Sequence, residues 1–180
     1  MQANHDTHHT TDDRDAGSAL AAAFDHAHHE LIGTLYYITG DRDGAGDVLQ
    51  EAFLKCWRHR DSLPKIDNLK AWIFRIAVNT ARDYRKSAWN RKRRSLPDET
   101  PIPSRSLPPE RELMKDEQLA LLHHAVMQLR PEEQEVFLLR QNGELTYEAI
   151  AEVISIPIGT VKTRMRSAIR QLRESVGDKK

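Results

Sequence analysis

With 180 residues, 39% of them hydrophobic and 30% charged, the chain can build one ordinary domain or two small ones, and an aromatic content of 6% keeps each core modest. No apolar run approaches the ~20 residues that span a bilayer, which excludes membrane insertion, and the lone Cys56 excludes an internal disulfide framework and fits a reducing cytoplasm. The formal net charge is zero, yet the charges are segregated. Asp6, Asp12, Asp13, Asp15, Asp25 and Glu30 face only Arg14 near the start, whereas "ARDYRKSAWNRKRR" (81–94) and "KTRMRSAIRQLR" (162–173) are dominated by cations. Local fields of this kind, rather than the total, select partners.

Residues 1–17 hold almost no large apolar side chain and are expected to stay without order as an acidic, His-rich leader; they also lack the basic segment and apolar run of a secretory signal. A first domain is expected over 18–94. Its first helix, from Ala19 to Tyr37, places Leu20, Phe24, Leu31, Leu35 and Ile38 near one face, and the three glycines of "TGDRDGAGD" end it. The second runs from about Ala45 to His59 with Ala45, Leu49, Ala52, Phe53, Cys56 and Trp57 on one stripe. After the loop "RDSLPKIDN", Asn68 is the expected N-cap of a third helix, whose Leu69, Trp72, Ile73, Ile76, Ala77, Thr80, Ala81 and Tyr84 recur at three- and four-residue intervals.

Five of the eight prolines (Pro97, Pro101, Pro103, Pro108, Pro109) fall in one stretch, so 95–109 reads as a flexible, extended linker. A second domain is expected over 110–175, followed by a tail at 176–180. Its four helices run from about Arg111 to Leu129, from Pro131 with Glu132 and Glu133 in the first turn to a stop at Gly143, from the Thr146 cap through Ile150, Ala151 and Val153, and from about Ile158 to Glu174. No stretch alternates with period two. The fold class is therefore all-α, with three helices in the first small domain and four in the second.

The last two helices carry the spacing of a helix-turn-helix: small Ala151, a tight turn at Ser155 and Ile156, then Val161. On the final helix Ile158, Val161, Met165, Ala168, Ile169 and Leu172 share one arc, while Thr160, Lys162, Thr163, Arg164, Arg166, Ser167 and Arg170 occupy the rest without an acid before Glu174. Hydroxyls and guanidinium groups suit base edges in a major groove, and cations at the rim suit phosphates. In the first domain Arg75, Asn79, Arg82 and Lys86 form a row opposite the apolar stripe, and Trp89 lies beyond them, as a grip on unstacked nucleic acid requires. The preceding helix turns Asp47, Gln50, Glu51, Leu54, Lys55 and Arg58 outward, mixed in sign, with Leu54 as the centre of a protein-docking surface.

"DVLQEAFLKCW", "LKAWIFRIAVNTARDYRK", "LRPEEQEVFLLR" and "LTYEAIAEVISIPIGTVKTRM" together resemble the extracytoplasmic-function sigma factors, the small two-domain specificity subunits of bacterial RNA polymerase. The resemblance implies a σ2 domain, a flexible linker and a σ4 domain, in the cytoplasm. It implies that Asp47, Gln50, Glu51 and Leu54 meet core RNA polymerase, that Arg75, Asn79, Arg82 and Lys86 engage the minus-ten element with Asn79 at the pocket for an extruded base, and that Arg140, Thr160, Lys162, Thr163, Arg164 and Arg166 meet the minus-thirty-five duplex. Asp98 and Glu99 of the linker would imitate nucleic acid near the RNA exit path, and many relatives are restrained by an anti-sigma factor. Ser155 replaces the glycine usual in the turn, Ala149 removes a capping-box acid, and Gly46 replaces an acid ahead of Asp47.

Of the nine histidines, His5, His8 and His9 lie in a segment expected to lack fixed geometry, and His26, His28 and His29 do not give a paired i, i+4 ligand face; with His123 and His124 they do not amount to a metal site, so no metal is expected. No nucleophile with a positioned base and no converging carboxylates stand out, and neither a cofactor nor bond-making chemistry is expected. The competing reading is a helix-turn-helix transcription regulator that does not dock on polymerase. It would leave the docking helix and the first basic row without a role.

Overall fold

A computed structural model describes residues 7–95 and 117–177 of the chain. The described residues hold helices and no strand: α1 (Thr7–His26), α2 (His28–Thr39), α3 (Arg42–Arg58), a 3-10 turn (Arg60–Lys65), α4 (Leu69–Ser95), α5 (Glu117–Gln128), α6 (Pro131–Gln141), α7 (Tyr147–Ile154) and α8 (Ile158–Gly177). Helices α1–α4 make the first domain and α5–α8 the second. The expected linker, with Asp98 and Glu99, and the last three residues lie outside the described residues.

In the first domain α4 packs against both α2 and α3. Leu31, Leu35 and Ile38 of α2, Val48, Ala52 and Cys56 of α3, and Ile73, Phe74, Ala77, Val78 and Ala81 of α4 close the core. Asn68 caps α4 as expected, its side chain accepting from the Ala71 amide at 2.9 Å. Thr80, placed on the apolar stripe, is buried because its hydroxyl has two partners: it donates to the Ile76 carbonyl at 2.8 Å and accepts from Lys55 Nζ at 3.1 Å.

Four local expectations are corrected. The segment expected to be a leader supplies residues 7–17 to α1, where composition alone promised no order. What composition missed is a tertiary contact: Gly17 lies so close to the Trp57 ring that a Cβ there would sit 2.8 Å from it. Trp57 in turn is 39% exposed and not a core residue, since it falls in the last turn of α3; the Arg60 guanidinium lies over its ring at 5.2 Å. The single helix expected from Ala19 to Tyr37 is two, divided at Ala27. Of the glycines expected to break the chain, only Gly40 does so, with φ of 85°; the Asp41 side chain accepts from the Gly44 amide and starts α3 at once, so Gly44 and Gly46 are helical.

In the second domain Pro131 opens α6 with Glu132 and Glu133 behind it, matching the positive end of the helix with acid. Buried Gln134 ties α6 to α5 by donating to the Val126 carbonyl at 2.9 Å. Thr146 caps α7 by accepting from the Ala149 amide at 3.2 Å. The turn that follows is a Schellman motif: the Ser155 amide donates to Glu152 O and the Ile156 amide to Ala151 O at 3.0 Å. Ser155 adopts φ 56° and ψ 51°, a left-handed conformation that glycine takes without strain. Ser155→Gly should therefore raise stability by about 1 kcal/mol, read as a higher urea midpoint at unchanged slope.

Cys56 is fully buried, and that burial pushes its thiol up to about 12. At pH 8 the folded chain should resist iodoacetamide while urea-unfolded chain is alkylated, with mass spectrometry as the readout.

Candidate nucleic-acid interface

Helix α4 runs 27 residues, about 40 Å, and only one of its stripes is needed for the core. The opposite stripe is available for chemistry. Arg75, Asn79 and Lys86 are exposed there, so the row expected from spacing exists as a row on the folded helix. Trp89 continues it and is 39% exposed. Arg82 differs from its neighbours. It is only partly exposed, its Nε donates to Glu135 Oε1 at 2.9 Å, and Nη2 donates to Glu135 Oε2, so a residue expected on nucleic acid meets a carboxylate of α6. Arg82 Nη1 also reaches Asn79 Oδ1 at 3.4 Å.

Helix α8 is built on the same division. Val161, Met165, Ala168 and Leu172 are buried against α5, α6 and α7, while Lys162, Thr163, Arg166 and Arg170 are exposed and Thr160 and Arg164 partly so. The Thr163 hydroxyl donates to the Gly159 carbonyl at 2.9 Å, which leaves its oxygen facing outward as an acceptor and its methyl as an apolar contact. Arg140 reaches the same end of the domain from α6. It is exposed, its Nη1 donates to Leu145 O at 2.8 Å, and its guanidinium lies 5.7 Å from the Tyr147 ring, which holds it beside the start of α7. Ser167, expected among the exposed polar residues, is half-buried at the α6–α8 contact, where Gln171 donates to Glu133 at 2.6 Å and to Ser167 Oγ at 3.3 Å.

The outward face of α3 carries Asp47, Gln50, Glu51 and Leu54, all exposed, with Leu54 at 43%. Lys55 pairs with Glu51 of this face at 3.6 Å and donates to Thr80 of α4 at 3.1 Å. An apolar side chain ringed by polar groups on a rigid helix can dock another protein; it offers no reacting group. Among the described residues no three His, Cys, Asp or Glu side chains come together as a metal site, and no helix is long and apolar enough to cross a membrane.

The described residues thus form two sets of helices, one with a basic row on its longest helix and the other with a helix-turn-helix whose second helix is basic. The sigma-70 region 2 family matches residues 23–91, and the sigma-70, region 4 family matches 119–172. The chain is 30% identical to the RNA polymerase sigma-H factor of Pseudomonas aeruginosa, over 76% of this chain and 75% of that protein. It is also 30% identical to the ECF RNA polymerase sigma-E factor of Escherichia coli K12, over 93% and 87% respectively. The chain belongs to the extracytoplasmic-function sigma factors of the sigma-70 family.

Solved structures agree on the fold. The sigma factor RpoE of Bartonella quintana, crystallised with the anti-sigma factor NepR, superposes with a TM-score of 0.66 at 22% identity, covering 93% of this chain and 99% of that one. CnrH in complex with the cytosolic domain of CnrY gives 0.65 at 19% identity, covering 94% and 97%.

Lys162 is an exposed ammonium on α8, and an ammonium that meets phosphate carries no base information. Lys162→Ala should weaken duplex binding by the polymerase complex about equally across minus-thirty-five sequences and reduce the log–log salt slope by about 1. A sharp change in base preference, measured by titrating variant duplexes, would move Lys162 from phosphate to base contact.

Proposed function

We propose that the chain is a cytoplasmic promoter-specificity subunit that directs bacterial RNA polymerase to initiation sites and performs no bond-making reaction itself. The observation that carries this reading is the pairing of two basic helical faces on separate domains, α4 and α8, with an uncharged apolar centre at Leu54 on α3. Asp47, Gln50, Glu51 and Leu54 are assigned to core polymerase. Arg75, Asn79, Arg82 and Lys86 are assigned to the minus-ten element, where an amide between cations can hydrogen-bond the edge of a base taken out of the stack. Arg140, Thr160, Lys162, Thr163, Arg164 and Arg166 are assigned to the minus-thirty-five duplex.

A regulator that ignores polymerase would need only the helix-turn-helix. The match of residues 23–91 to sigma-70 region 2 favours the sigma reading. The solved relatives in complex with NepR and CnrY support an anti-sigma factor as a further class of partner.

Run-off transcription from a matched promoter with core polymerase tests the proposal: product should depend on the chain. Within that assay Asn79→Ala should slow open-complex formation by tenfold or more, about 1.4 kcal/mol, while minus-thirty-five duplex binding stays within twofold. Permanganate footprinting separates the two steps. Equal loss in both would remove Asn79 from the melted strand.

A further inference from the structure

Helix α4 carries two tryptophans with opposite fates. Trp72 is partly buried and packs against the core of the first domain, whereas Trp89 is 39% exposed and, among the described residues, packs against neither core. A single exposed apolar side chain needs no explanation; its place on the helix does. At ~100° per residue, Arg75, Asn79, Lys86 and Trp89 fall within about 80° of one another around α4. Asp83, the one acid of that helix, lies about 120° away from Trp89. The indole therefore continues the exposed row, roughly 15 Å beyond Asn79 at ~1.5 Å per residue.

The three kinds of side chain on this row do different work on a polyanion. Arg75 and Lys86 hold phosphates and so set the path of a strand along the helix. Asn79, with a donor and an acceptor, can read the edge of a base. Trp89 has a single N–H and cannot distinguish the four bases by hydrogen bonds, but every unpaired base presents a flat face that an indole can cover. In an intact duplex those faces are already stacked on one another, so this contact forms only with an opened strand. A group shifts the balance between paired and opened DNA only by its difference in affinity for the two, and an indole on this row has such a difference.

We infer that Trp89 is a stacking platform for an unpaired promoter base, placed on the Arg75–Asn79–Lys86 row so that it holds the strand open without reading its sequence. The inference rests on the assignment of α4 to the minus-ten element. It adds a contact at a second point of the same strand, with a chemistry that neither the cations nor Asn79 supply. Stacking releases no counterions, so the indole should strengthen binding without steepening its dependence on salt, in contrast to Lys86.

The test is titration of the complex of full chain and core polymerase with a single-stranded minus-ten oligonucleotide and, separately, with a minus-thirty-five duplex. Trp89→Leu keeps an apolar side chain but removes the flat face. It should weaken strand binding about tenfold, leave duplex binding within twofold, and leave the log–log salt slope for the strand unchanged, whereas Lys86→Ala should lower that slope by about 0.7. Trp89→Phe should recover most of the loss, because a benzene ring also stacks. Scanning 2-aminopurine along the oligonucleotide should find a position that is quenched by the wild-type complex and not by Trp89→Leu. Strand binding equal to wild type in Trp89→Leu, an equal loss on the duplex, or a Trp89→Phe complex no better than Trp89→Leu each overturns the stacking role. A wild-type complex that binds no minus-ten strand sinks the assignment of α4 and the inference with it; one that binds the strand while Trp89→Leu binds it equally removes Trp89 alone.

Discussion

Burial of one stripe of α4 is the constraint on which the rest of the structure depends. Ile73, Phe74, Ala77, Val78 and Ala81 have no exposed surface, and each must find apolar partners within one helical width. Helices α2 and α3 supply them, and so these three helices have little freedom in their relative placement. That fixed packing turns the other stripe of α4 outward and aligns Arg75, Asn79 and Lys86 along it. The same packing turns Leu54 outward on α3, because Ala52 and Cys56 are committed to the core. The two surfaces assigned to polymerase and to nucleic acid are thus opposite results of one burial event.

The electrostatics follow the same division. A chain with zero formal charge can still attract a polyanion when its acids and bases sit on different elements. Acids gather at the start of α6, where the positive end of the helix favours them, and α8 carries five cations before its first acid at Glu174. Glu133 illustrates how an acid is kept inside such a domain. Burial pushes its carboxyl up, but hydrogen bonds from Ser167 and Gln171 and the Arg130 charge outweigh burial and hold it below the usual carboxylate range. The acid is thereby kept charged beside the cationic helix and helps fix the α6–α8 angle.

Much of this was legible in the sequence, and the reason is local. Asn68, Thr146 and Pro131 mark helix starts through hydrogen bonds that span three residues, so spacing alone reveals them. The apolar arc of α8 and the outward Leu54 follow from period 3.6. What escaped depends on groups distant in the chain. Helix α1 extends to Thr7 with Gly17 fitting under Trp57, forty residues away. The assignment of Trp57 to the core failed for the same reason, since periodicity identifies a stripe but not where the neighbouring helix ends. The glycines at 44 and 46 looked like breakers because their intrinsic helix propensity is poor; the Asp41 cap and the packing of α3 outweigh about 1 kcal/mol each.

Arg82 shows most clearly what a row of cations can and cannot reveal. Its spacing from Asn79 and Lys86 identifies the face, whereas nothing within ten residues signals that Glu135, 53 positions later, reaches the same guanidinium. A sequence pattern reports which groups are able to meet an anion; it does not report which anion arrives first. In a chain whose second domain carries its own buried carboxylate, the two questions separate. The turn at Ser155 is independent of that pair, since it sets the angle between α7 and α8 inside the second domain.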